Sequence, residues 1–68
     1  MELNTYRFRR IRTYRSVTAF IETEGRSIIN VKAKDRDAAE AKVAKRKDAR
    51  VRLRNGDLLS WRMMVFPA

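Results

Sequence analysis

Apolar residues recur with period two at both ends of the chain, and one stretch of different character separates them. Near the C-terminus, Val51, Leu53, Leu59, Trp61, Met63 and Val65 share one hairpin face if the loop is Arg54-Asn55-Gly56. A three-residue loop with glycine in the left-handed position pairs Val51 with Leu59 and sets Ala49 opposite Trp61. A two-residue Asn55-Gly56 turn is the stronger signal by composition. It would mix Arg50 and Arg52 with Leu59 and Trp61 on one face. A slip of one residue moves a whole side-chain set across the sheet, so the loop that leaves one face free of charge is favoured. The other face then carries Arg50, Arg52, Leu58, Ser60, Arg62, Met64 and Phe66.

The same test applied to Thr23-Glu24-Gly25 predicts a second hairpin. It pairs Glu22 with Arg26, Phe20 with Ile28, Ala19 with Ile29 and Val17 with Val31, and gathers Val17, Ala19, Ile21, Ile29 and Val31 on one face. Upstream, Tyr6 and Phe8 alternate with Arg7 and Arg9 as in a strand. Alternation slips at Arg9-Arg10, where a bulge would return Ile11 to the inner face. The chain then either turns at Thr13 to Ser16 or runs on as one long bent strand.

Between the hairpins, Asp35 to Lys47 is the helix candidate. Asp35 can accept hydrogen bonds from the free amides of the first turn. Asp37 and Glu40 near the start, and Lys45, Arg46 and Lys47 at the end, complement the helix dipole. Ala39 and Val43 form the one clear apolar i, i+4 pair, so the helix depends on a sheet for stability. These elements predict a single α+β domain over 1–68. Its expected order is β-β-β-α-β-β, with one helix packed on an antiparallel sheet of four to five strands.

Composition narrows the picture. The 68 residues contain no cysteine and no histidine, which excludes disulfides and the common zinc sites. No cofactor or metal is expected. No apolar run approaches the roughly 20 residues that span a bilayer, and the polar first residues predict no signal peptide. No membrane association is expected, and a cytoplasmic location is. A hydrophobic fraction of 44% is too high for a disordered chain.

Charge changes the picture most. Lysine and arginine number 17 against 8 acids, a net charge of +9, which attracts nucleic acid or acidic protein surfaces. Arg7, Arg9, Arg10, Arg12 and Arg15 share a segment with residues that seek burial, and Arg50, Arg52 and Arg62 join them from the last hairpin. Arginine donates two parallel hydrogen bonds to phosphate or carboxylate, so these eight are the candidate binding residues. Lys42, Lys45, Arg46 and Lys47 form a separate helix cluster that dipole complementarity accounts for. The acids sit at chain ends, turns and the helix start. No spacing among them suggests a general acid–base pair, no histidine is available to activate a serine, and no glycine-rich loop could cradle phosphate. No catalytic residue and no enzyme activity is expected.

Leu58, Met64 and Phe66 fall on the charged face of the last hairpin. Either they form a protein interface, with a homodimer or a target covering them, or the last strand is buried on both sides. The stretch Val31-Lys32-Ala33-Lys34-Asp35-Arg36-Asp37-Ala38-Ala39 resembles strand-to-helix junctions of small phage-encoded α+β proteins and of some small ribosomal proteins. It covers under a quarter of the chain and carries over no residue role; small size, strong positive charge and the lack of a catalytic signature add, by analogy, the expectation of a phage accessory protein acting in a host cytoplasm. Two functions follow as expectations. The first is nucleic-acid binding, to DNA or RNA, through arginine–phosphate contacts with little base specificity. The second is a small protein-binding module or inhibitor that engages an acidic host surface.

Overall fold

The computed structural model describes residues 2–64. Strands β1 (Asn4–Arg15) and β2 (Phe20–Ala33) precede helix α1 (Arg36–Ala44), and β3 (Arg50–Arg52) and β4 (Leu58–Met63) follow it. The strands form one antiparallel sheet in the order β2-β1-β4-β3. This is an α+β fold of four strands and one helix, with two strands before the helix rather than the expected three.

The difference arises at Gly25, which lies inside β2 and not in a turn. The chain reverses at Val17-Thr18 instead, and Arg15 pairs with Phe20. Ser16 makes that turn. Its Oγ accepts from the Thr18 and Ala19 amides at 3.3 and 3.0 Å, and its N–H donates to the Ala19 carbonyl at 2.8 Å. Hydroxyl bonding to the chain two or three residues on substitutes for glycine or proline. The resulting long hairpin gives β1 an antiparallel neighbour along its whole length, which the predicted Gly25 hairpin would not.

Gly25 serves a bulge. Arg9 pairs with Ile28 and Ile11 with Glu24, so Arg10 alone faces Gly25, Arg26 and Ser27. A Cβ on Gly25 would lie 3.1 Å from the Arg10 carbonyl oxygen and 3.3 Å from the Arg10 Cβ. Glycine allows this close approach. The irregularity expected at Arg9-Arg10 is present, but the extra residues are on β2. β1 therefore keeps its alternation, and Ile11 stays on the face opposite Phe8.

The last hairpin has the register argued from its faces, with Val51 opposite Leu59. The Leu53 N–H donates to the Asp57 carbonyl at 2.8 Å and the Gly56 N–H to the Leu53 carbonyl at 3.0 Å. Gly56 has φ +92°, the left-handed position of a three-residue loop. In α1, Asp35 Oδ1 accepts from the Ala38 amide at 2.8 Å. The helix stops at Ala44, short of Lys47, because tighter bonds take over. Arg46 N–H returns to the Val43 carbonyl and Ala49 N–H to the Arg46 carbonyl, and these i, i+3 turns carry the chain down to β3.

The core lies between α1 and the sheet. Phe8, Ala33, Ala39 and Val43 are buried, with Tyr6, Ile29, Val31, Trp61 and Met63 packed around them. Phe8, 2% exposed, stands at the centre because β1 is an inner strand, with Ile29 and Met63 as its cross-strand neighbours. Trp61 is on this face too, but only half-buried.

Candidate arginine face

Alternation and pairing sort the arginines. Successive strand residues point to opposite faces, and directly paired residues share one. Phe8 faces α1, so Arg7, Arg9, Ile11, Thr13 and Arg15 face away. Arg9 pairs with Arg62, Ile11 with Ser60 and Thr13 with Leu58. Ser60 and Leu58 in turn pair with Arg50 and Arg52. Arg7, Arg9, Arg15, Arg50, Arg52 and Arg62 thus converge from three strands on the sheet face opposite the helix. Lys32, paired with Thr5, joins them from β2.

Glu22 and Glu24, paired with Thr13 and Ile11, are the acids on this face. Glu22 accepts from Arg62 Nη2, and Glu24 lies 3.7 Å from Arg9 Nη1. The Arg15 guanidinium rests 5.3 Å from the centre of the Phe20 ring, and Arg52 Nη1 donates to the Gly56 carbonyl at 3.2 Å. Exposed pairs of this kind contribute about 0–1 kcal/mol. They orient the guanidinium groups without consuming their remaining donors. Beneath them Ile11 is 2% exposed although, among the described residues, no second layer packs here. Arg9, Glu24, Arg62 and Met64 stand around it, and long charged side chains cover apolar surface with their stems while the heads reach water.

Arg10 and Arg12 are not part of this surface. They point to the helix side and are bonded to the protein itself. Arg10 Nη1 donates to the Asp48 carbonyl at 2.6 Å, and its guanidinium lies 4.9 Å from the Trp61 ring centre, with Arg46 at 5.7 Å. Arg12 Nε donates to Asp57 Oδ2 at 2.6 Å. Asp57 is buried at 7% exposure and also accepts from Asn55 Nδ2 at 3.3 Å. Arg10 therefore ties the α1–β3 connection to β1, and Arg12 does the same for the β3–β4 loop.

Asp48 and Asp57 were not singled out by the sequence. The usable signal was parity: positions 10 and 12 share a face with Phe8, so a charge there needs an internal partner. Asp48 receives Arg46 Nε at 2.8 Å and Nη2 at 3.2 Å. That bidentate donation holds its carboxyl below the ordinary range and raises the Arg46 guanidinium in turn. The Trp61 indole N–H is buried without a hydrogen bond of ordinary geometry and adds only a weak further pull on the Asp48 carboxylate.

Leu58 and Met64 lie on the arginine side and are half-buried, while Phe66 lies outside the described residues. The helix cluster stands apart, and Lys42 Nζ donates back to the Lys32 carbonyl. Larger apolar exposure occurs at the end of the long hairpin, at Tyr14, Val17, Phe20 and Ile21. Among the described residues, no helix is long and apolar enough to cross a membrane, and no three His, Cys, Asp or Glu side chains are grouped to hold a metal ion. No family model, curated protein or solved structure matches the chain.

Proposed function

We propose that this protein is a non-enzymatic nucleic-acid-binding module that lays its arginine face on the phosphate backbone of DNA or RNA. One observation carries the proposal: Arg7, Arg9, Arg15, Arg50, Arg52 and Arg62 converge on a sheet face that the helix does not cover. A sheet holds them at strand spacing, and each guanidinium can bond a phosphate bidentately. Among the described residues the only aromatic ring on that face is Phe20, at the hairpin end, so little stacking on bases and low base specificity are expected.

Phosphate-driven binding releases counterions, so log affinity falls with log salt by about 0.9 per phosphate neutralised on a duplex. About five to eight contacts correspond to a loss on the order of a thousandfold between 50 and 200 mM salt. Titration of a labelled random duplex and a single strand at both salts tests this, and absence of binding at 50 mM salt ends the proposal. Replacing Arg7, Arg9 and Arg15 with glutamine should weaken binding more than the same change at Lys42, Lys45 and Lys47. Equal losses would reduce the face to a diffuse positive field.

A second reading is a module of the phage accessory type that engages an acidic protein surface. It is favoured by the exposed Tyr14, Val17, Phe20 and Ile21 beside Arg15, which would supply apolar anchors. A lysate pull-down with and without nuclease separates the two by whether the companion survives digestion.

A further inference from the structure

On the helix side of the sheet, α1 packs chiefly against β2, and among the described residues β4 has no such roof. An open groove of about 720 Å³ results, floored by Phe8, Val43, Trp61 and Met63. One of its walls is an incomplete strand pair. β3 pairs only with Leu58–Ser60, so the outer edge of β4 is bare from Trp61 to Met63 among the described residues. The Met64 N–H donates to the Arg7 carbonyl, toward β1. Antiparallel alternation therefore turns the Met63 N–H and carbonyl to the bare edge.

We propose that this edge and groove take an extended acidic peptide as an added strand, its alternate side chains apolar. The backbone would pair with Met63, and the apolar side chains would drop toward Trp61 and Met63. Charge selects the occupant. Arg46 and Lys47 border the groove from the helix side, and Arg50 and Arg62 of the opposite face stand at its edge, against Glu40 alone among acids. A second copy of this chain would bring a further +9 to that rim, so self-pairing is opposed. A nucleic-acid backbone would meet the cations but has no side chains to place on the apolar floor. This partner is distinct from the one proposed for the arginine face.

Trp61 is the only tryptophan, so its fluorescence reports occupancy directly. The probe is a ten-residue peptide of alternating glutamate and valine. Controls are polyglutamate of equal length, alternating lysine and valine, and a ten-nucleotide oligothymidylate. The expected result is a saturable change in Trp61 emission with the first peptide only. Ala44→Glu combined with Lys47→Glu, both exposed beside the groove, should weaken it at least tenfold. Met63→Pro removes an amide that faces the open edge, where proline is tolerated, and should abolish the effect. Circular dichroism identifies a variant that unfolds, and the charge pair then decides alone.

The glutamine variant of Arg7, Arg9 and Arg15 should respond to the peptide as the wild type does, which separates this site from the arginine face. Six results overturn the proposal: silent Trp61 emission, polyglutamate or the lysine–valine peptide acting as strongly, oligothymidylate acting more strongly, a folded Met63→Pro variant that binds normally, or a folded Ala44→Glu, Lys47→Glu variant that binds normally.

Discussion

Arg9 and Arg10 are adjacent in β1, yet their guanidinium groups meet unlike surroundings. Arg9 points away from the helix, near Glu24 in an exposed pair. Arg10 points toward it, bonded to the Asp48 carbonyl and lying over Trp61. The same division separates Arg7 and Arg15 from Arg12. On the helix side arginine ties the α1–β3 connection and the β3–β4 loop to β1; on the other side the arginines share a face that the helix does not cover. Residue type therefore says little in this segment, and parity within the strand says most.

The sharpest way to break that comparison is at the core the helix side encloses. Phe8→Ala should cost about 3–5 kcal/mol, the usual loss for a buried aromatic, enough to consume most of the stability of so small a domain. Trp61→Ala should cost less, because Trp61 is only half-buried. Chemical denaturation of both variants ranks them. A larger loss at Trp61 would mean that the groove over β4 is closed in solution.

Next in size is the brace itself. Asp57→Ala strips Arg12 of its carboxylate partner and Asn55 of an acceptor. Asp57 is buried but the Arg12 side chain is 49% exposed, so losing the carboxylate should cost about 1 kcal/mol, the low end of the range for an unsatisfied buried partner. Glutamine at Arg15, on the other side of the same strand and exposed, should change stability by no more than about 0.5 kcal/mol. Equal destabilisation on both sides would erase the distinction between brace and display.

How far the sequence foretold this arrangement depends on the physical cause at each site. Gly56 marked its loop because a left-handed residue was required there, and the Val51–Leu59 register followed from keeping charge off one face. Asp35 marked the helix start because it caps free amides. Gly25 misled, since close approach to the Arg10 backbone and a turn both call for glycine and composition does not separate them. The actual reversal at Val17-Thr18 rests on the Ser16 hydroxyl, a weaker signal than glycine or proline. For the site, the arginine types were legible but their division was not. It depends on β1 being an inner strand covered on one side, which no local pattern states.

A smaller effect tests whether the displayed arginines are held back by their own neighbours. Glu22 and Glu24 are the acids among them. Changing both to glutamine should tighten nucleic-acid binding several-fold at low salt, with the gain fading as salt screens the charges. Filter binding at 50 and 200 mM salt reads this directly. Unchanged affinity would show that Arg9 and Arg62 reach phosphate without leaving those carboxylates.

The smallest effect concerns the brace side under acid. The Arg46 guanidinium donates both bonds to Asp48 and holds its carboxyl below the usual value of 3.8. A carboxyl with a depressed folded pKa stabilises the fold above its unfolded value and loses that contribution as pH falls through the folded one. The turn between α1 and β3 should therefore be unaffected from neutrality down to about pH 4 and loosen below it. Arg46 and Arg10 both lie over Trp61, so the indole senses that loosening. Acid titration of Trp61 emission should show a transition on the low side of the carboxylate range. Asp48→Asn should remove the transition while leaving the neutral-pH emission near that of the wild type. A transition that persists in Asp48→Asn would assign it to the other carboxylates, and the α1–β3 turn would then be held chiefly by the bond from Arg10 to the Asp48 backbone, which does not titrate.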